Sequence, residues 1–385
     1  MAHQAHAIPW QTLADNLKFT PASARYLGIT NLYPRSKPGQ AKQLQHFARV
    51  FARVLCEYAA IERKKYAAEY TPPRDDEVII SDTSFRNIEN VVKEYMKEVV
   101  ERFPELENDL LPQRERTIKP WIAASRWNSC HPADSLLETD ELLRTLVLRG
   151  EMDTLFRIAS HPQVRLDILW LEGRKFAFDV GGYGLCELKE SALLAYICLN
   201  VFYLKPELYD PTMRSRMLNA KSQRKNQTPL PPDTYDYRLT AAYQQTLVSC
   251  TGTGYPYAHY GAHKIPHREF FGVPYGTYTS QPHWYTLTPY TIPPSPFGKS
   301  TLRDLVDKNF PYKYIPSKAD VRLVISLLRT RGLPTELALQ ILDLAAYVPR
   351  GRLRIREDPL HAENADELKK YLGYCWIILV RIDML

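Results

Sequence analysis

Between Gly252 and Tyr290 the chain carries five glycines, together with Pro256, Pro266, Pro274, Pro282 and Pro289. That punctuation rules out a long regular helix and leaves an ordered loop or short strands, the kind of backbone on which binding and catalytic groups concentrate. The same stretch holds seven tyrosines and four of the chain's ten histidines. His259, His263 and Tyr257 are therefore candidate catalytic groups, and His267, Tyr275 and His283 candidate substrate-binding groups. On a helix, the spacing of four between His259, His263 and His267 would stack three imidazoles as metal ligands. Pro256, Gly261 and Pro266 interrupt such a helix and no carboxylate accompanies it, so neither metal nor cofactor is expected. Two readings remain: proton transfer with tyrosine hydroxyls orienting a polar substrate, or structural hydrogen bonds within the loop.

Length and composition set the frame for this stretch. The 385 residues, 45% hydrophobic and 24% charged, suit a globular protein of two or three domains. The first twenty residues contain Trp10, Asp15 and Lys18 without an apolar run, and the longer apolar stretches are interrupted by charge, so a cytoplasmic chain with no membrane partner is expected. Six cysteines lie scattered without a Cys-x-x-Cys pair, which points to buried thiols in a reducing compartment. The net charge of +7 is modest, but the basic residues cluster. Arg214, Arg216, Lys221, Arg224 and Lys225 fall between Met213 and Lys225 with no acid among them, and Arg350, Arg352, Arg354 and Arg356 alternate along the chain. Such clusters suit phosphates, and the first is the expected nucleic-acid contact; a solvated basic loop is the plain alternative.

Taken in order, the chain reads as a predominantly helical α+β protein. Residues 1–40, rich in proline, form an arm over the surface. A main domain covers 41–295. From Ala41 apolar residues recur at spacings of three and four toward Thr71-Pro72-Pro73, a helix. Glu77 to Ile80 reads as a short strand running into a helix cap at Ser81-Asp82-Thr83-Ser84. Asp82 and Ser84, at that turn, are candidate substrate-binding groups for an anionic ligand, or simple caps. Helices follow over Asp140 to Arg149 and Met152 to Ala159, while Val164 to Leu171 fits strand or helix. Ser191 to Leu204, apolar and free of charge, is the expected buried central helix. A polar, basic excursion over Pro206 to Asp236 precedes a helical pattern over Leu239 to Ser249. After a proline-rich linker, 296–385 forms a helical C-terminal unit with helices over Lys318 to Arg331, Pro334 to Tyr347 and Asp366 to Leu385.

Candidate nucleophiles are Ser249 and Cys250, placed where a helical pattern meets the glycine-rich loop, and Ser84 at the first strand-to-helix turn. No Gly-x-Ser-x-Gly elbow accompanies them, so no hydrolase triad is read. Glu172 is a candidate catalytic carboxylate and Asp179 a candidate substrate-binding one; both lie beside apolar segments, where burial would raise a carboxyl pKa or a cationic ligand could be paired. Ion pairing with Arg174 and Lys175 is their structural alternative.

Leu333-Pro334-Thr335-Glu336-Leu337-Ala338-Leu339-Gln340-Ile341-Leu342-Asp343-Leu344-Ala345 resembles the first helix of an F-box. With Asp358-Pro359-Leu360-His361 and the run from Lys370 to Trp376, it makes the last seventy or so residues similar to a C-terminal module of uncharacterised fungal proteins. That resemblance implies an adaptor with a Skp1-like partner. In length, basic clusters and lack of adenylation, thiolation or dinucleotide-binding fingerprints, the first 290 residues resemble the arginine-containing cyclodipeptide synthases of fungal secondary metabolism. This second resemblance implies aminoacyl-tRNA partners whose phosphates meet the basic clusters. It also implies an acidic pocket for the arginine guanidinium, and a hydroxyl, His or Tyr group assisting acyl transfer.

Overall fold

The computed structural model describes residues 6–21, 30–34, 39–102, 104, 110–125, 139–167, 185–206, 237–251, 266–272, 316–345, 347, 351–355 and 358–385. In chain order its elements are α1 (Trp10–Asp15), β1 (Leu17–Pro21), β2 (Thr30–Pro34), α2 (Gln40–Arg63), α3 (Asp82–Arg102), a 3-10 turn (Gln113–Arg116), α4 (Lys119–Ala124), α5 (Thr139–Arg149), α6 (Met152–Ala159) and α7 (Leu185–Tyr203). There follow α8 (Ala241–Thr251), α9 (His267–Phe271), α10 (Lys318–Thr330), α11 (Thr335–Leu344) and α12 (Ala365–Asp383), with short 3-10 turns at Tyr237–Leu239 and Ala362–Asn364. The fold is predominantly helical, and the sheet among the described residues is the antiparallel pair β1–β2, in the register Leu17 to Pro34 through Pro21 to Thr30. The strand expected over Glu77 to Ile80 does not form: the amides of Ile79 and Ile80 both donate to the Arg116 carbonyl, at 2.9 and 3.2 Å. One carbonyl outside any sheet thus takes the place of a ladder partner.

The chain divides into two units, one of residues 1–51, 194–253 and 266–374, the other of residues 52–193, 254–265 and 375–385. In the first, Trp10 anchors the N-terminal segment edge-on to Phe47 at 5.4 Å and to Tyr196 at 5.5 Å. Asn16 fastens the end of α1, donating to the Thr12 carbonyl and to Gln43 Oε1. Ala195, Tyr196, Leu199 and Phe202 of α7 have no exposed surface, as the uncharged run predicts. Thr240 starts α8 by accepting from the Tyr243 amide at 3.1 Å. Ser317 and Asp320 close a reciprocal capping box at the start of α10, and Gly332, at φ +85°, turns the chain from α10 toward α11. That helical pair keeps Ala338 and Leu342 buried while Leu323, Leu327, Leu337, Leu339, Ile341 and Leu344 remain exposed.

In the second unit Ser81 Oγ accepts from the Ser84 amide at 3.1 Å and so begins α3. Arg116 lies over the Phe85 ring at 4.1 Å and pairs with Asp82 at 2.7 Å. Ile118, Trp121, Leu143, Leu146 and Leu155 form a core without exposed surface. Arg144 and Glu141, one turn apart on α5, are both buried and pair at 3.4 Å. Arg381 of α12 donates to the Val147 carbonyl at 3.0 Å, which also accepts from the Gly150 amide at the end of α5, and Gly150 (φ +76°) lets the chain reverse against that guanidinium. Cys198, Cys250 and Cys375 are buried thiols outside any disulfide, as expected; Cys56 is likewise outside a disulfide but lies exposed on α2, against the expectation of burial.

Candidate functional site

The first unit gathers its buried chemistry around α9. Pro266 opens this short helix and Gly272, at φ +67°, ends it, so five residues are presented as one turn and a half. His267, Phe270 and Phe271 all face inward. Tyr371 of α12 stacks on Phe270 at 3.8 Å and 3° and meets Phe271 edge-on at 5.6 Å. Its hydroxyl is hydrogen-bonded to His267 Nδ1. Full burial pushes the imidazole down to about 3, so the ring is neutral at physiological pH. Nε2 of the same ring is buried and finds no hydrogen-bond partner among the described residues. A neutral imidazole with one nitrogen held and the other open can either donate or accept a single hydrogen bond there, according to the tautomer.

The aromatic layer continues beyond Tyr371. Phe271 meets Tyr243 at 6.2 Å, Tyr243 meets Tyr237 at 5.0 Å, and Phe202 closes on Tyr237 at 5.5 Å. Tyr237 donates to Asp358 Oδ1 at 2.7 Å and accepts from the Leu360 amide. Burial first, then the neighbouring Tyr243 and Asp358, raises this phenol well above its ordinary value. Next to His267, Arg268 is itself buried and its guanidinium donates twice to the Thr251 carbonyl, at 3.1 and 2.9 Å, tying α9 to the end of α8. Histidine, three tyrosines, a carboxylate and a guanidinium thus stand in one low-dielectric layer, an environment that perturbs pKa values as functional sites do.

Of the candidates read from the sequence, the structure describes Asp82, Ser84, Ser249, Cys250 and His267. His267 is the one it sets in this layer. Ser249 is exposed on α8, and Cys250 beside it is buried. Ser84 is buried in the second unit, bonded to Ser81 Oγ at 3.2 Å and to Thr154 Oγ1 at 3.3 Å, and Asp82 is exposed with its carboxylate on Arg116. The turn at Ser81 thus has its own hydroxyl and carboxylate on the helix start. Tyr257, His259, His263, Glu172, Asp179, Tyr275 and His283 lie outside the described residues, as do Arg214, Arg216, Lys221, Arg224 and Lys225. Sequence reasoning missed Tyr371, Tyr237, Asp358 and Arg268 as members of a site. Tyr371 reads from its spacing as one more apolar-face residue of a C-terminal helix; only the fold brings it to His267. No group of three His, Cys, Asp or Glu side chains converges as metal ligands among the described residues.

Comparison with known proteins supplies the class. Residues 11–385 match the family model described as "Gramillins biosynthetic cluster protein GRA5", and the chain belongs to that family. It is accordingly a protein of fungal secondary metabolism, which agrees with the setting implied by the second resemblance, while neither an F-box nor a cyclodipeptide synthase family is what matches. No curated protein and no solved structure matches the chain.

Proposed function

We propose that the chain is a peptide-bond-forming enzyme of fungal secondary metabolism, a cyclodipeptide synthase that joins an arginyl group to a second amino acid, both delivered as aminoacyl-tRNAs. The observation that carries this reading is the open ring nitrogen of His267 in a fully buried, neutral imidazole. When an α-amine attacks an aminoacyl ester, the carbonyl oxygen gains negative charge, and a fixed donor in a dry site stabilises it. With the Tyr371 hydroxyl donating to Nδ1, the ring proton sits on Nε2, and a ring too weakly basic to charge serves better as such a donor than as a general base. Expression of the gene alone in a host without the pathway should yield an arginine-containing diketopiperazine. His267→Phe should lower the yield by about 10²-fold, the loss typical of one oxyanion donor. No diketopiperazine from the wild type, or undiminished product from a folded His267→Phe chain, would overturn the reading.

A non-catalytic, F-box-like adaptor is the second reading, and the exposed leucines of α10 and α11 favour it. It requires that a Skp1-like protein co-purify with the wild type and be lost from Leu337→Glu/Leu344→Glu.

A further inference from the structure

The segment from Gly351 to Ile355 bends at Arg354 and Ile355 and is held from three directions. The Gly351 amide donates to the Pro316 carbonyl at 2.8 Å and the Arg352 amide to the Glu269 carbonyl at 2.9 Å. Arg354 and Ile355 both donate to Asn364 Oδ1, at 2.8 and 3.2 Å. Leu353 is buried. Arg352 and Arg354 flank this buried leucine on either side. Both are exposed, and neither forms an ion pair among the described residues. The Ser317–Gly351 bridge brings the start of α10 alongside, and with it the exposed Lys318, followed one turn on by the exposed Arg322. Asp320, the carboxylate of that first turn, is occupied by the Ser317 amide and hydroxyl, each at 2.7 Å.

We infer that Lys318, Arg322, Arg352 and Arg354 form a docking surface for a nucleic-acid phosphate backbone; that the nucleic acid is tRNA rests on the function proposed above. Guanidinium forks suit phosphate oxygens, and a backbone held by four hydrogen bonds loses little freedom on binding. An anionic membrane fits the two arginines less well, because Leu353 between them is buried, and since Leu323 beside Arg322 is exposed the vesicle arm of the test below decides against a membrane. An added peptide strand fits less well too, because the amides of Gly351, Arg352, Arg354 and Ile355 are already donated within the chain.

The test is fluorescence anisotropy of the purified full-length chain with labelled, uncharged tRNA, and with a DNA duplex of equal length, over a series of salt concentrations. Wild type should bind both, since phosphates alone are read. Arg352→Gln/Arg354→Gln, shown folded by circular dichroism, should bind at least tenfold more weakly at low salt. Its log–log salt slope should fall by about 0.7–0.9 for each lost contact. An unchanged slope in the double variant, no tRNA binding by the wild type, or binding to anionic vesicles but not to tRNA would each overturn the surface. Loss of tRNA binding in the variant, with a wild type that makes no diketopiperazine, would keep the surface and remove the synthase. The reverse pair of results would keep the synthase and remove the surface.

Discussion

Acidification should loosen this fold through one imidazole. His267 is pushed down to about 3 by burial in the folded chain, while an unfolded histidine titrates near ~6.5. The folded value is the lower one, so below pH ~6.5 the unfolded chain binds the extra proton. Stability is therefore full above that value and is lost as pH falls toward 3. At pH 5, about 1.5 units into the window, the loss is about 2 kcal/mol, at 1.36 kcal/mol per unit. Glu77 works in a different range. The hydrogen bond from Arg157 holds its carboxyl below the ordinary value of 4.5, so its contribution is present above 4.5 and fades only below it. Urea midpoints of the wild type and of His267→Phe, measured at pH 7 and pH 5, isolate the imidazole. Phenylalanine keeps a ring in the layer without a titrating group, and the partner lost by the Tyr371 hydroxyl is lost equally at both pH values. The wild type should lose about 2 kcal/mol more than the variant between the two conditions. Equal losses, or a His267 ring resonance that titrates near ~6.5 by NMR, would refute the reasoning.

Gly150→Ala should be destabilising by at least the ~1–2 kcal/mol of a left-handed non-glycine residue, because φ is +76° and the new Cβ would lie 2.9 Å from Arg381 Nη2; thermal melts would register it. Arg144→Ala should cost about 3–5 kcal/mol in chemical denaturation by leaving Glu141 buried without the cation 3.4 Å away, whereas replacing both residues by apolar ones should recover much of that loss.

Periodicity carried the helices well and pairing poorly. The uncharged run of α7 and the apolar spacing of α12 could be read directly, since burial of a helix is a local pattern. The end of α2 was legible too: the helix stops before Thr71-Pro72-Pro73 as its pattern implies, at Arg63, whose guanidinium donates to the carbonyls of Ala67 and Ala68. The β1–β2 pair was hidden because Pro21 and Pro34 read as breakers. Both lie at the ends of the register, where a missing amide harms no central ladder bond. Glu77 to Ile80 looked like a strand for the converse reason, since nothing local says that no strand lies beside it. At the site, His267 was legible from composition. Its partners were not: Tyr371 lies 104 positions away on a helix whose spacing speaks only of packing.

Each unit is assembled from three separate stretches of chain, and this sets a timetable for its synthesis. Trp10 and Phe47 leave the ribosome first, and Tyr196, which covers the other side of the indole, follows about 150 residues later. At ~5–20 residues per second that interval is roughly 7 to 30 s. His267 must wait longer still, for the final helix that brings Tyr371. Throughout that time the nascent chain carries aromatic surface that its last partners, Tyr196 and then Tyr371, have yet to cover.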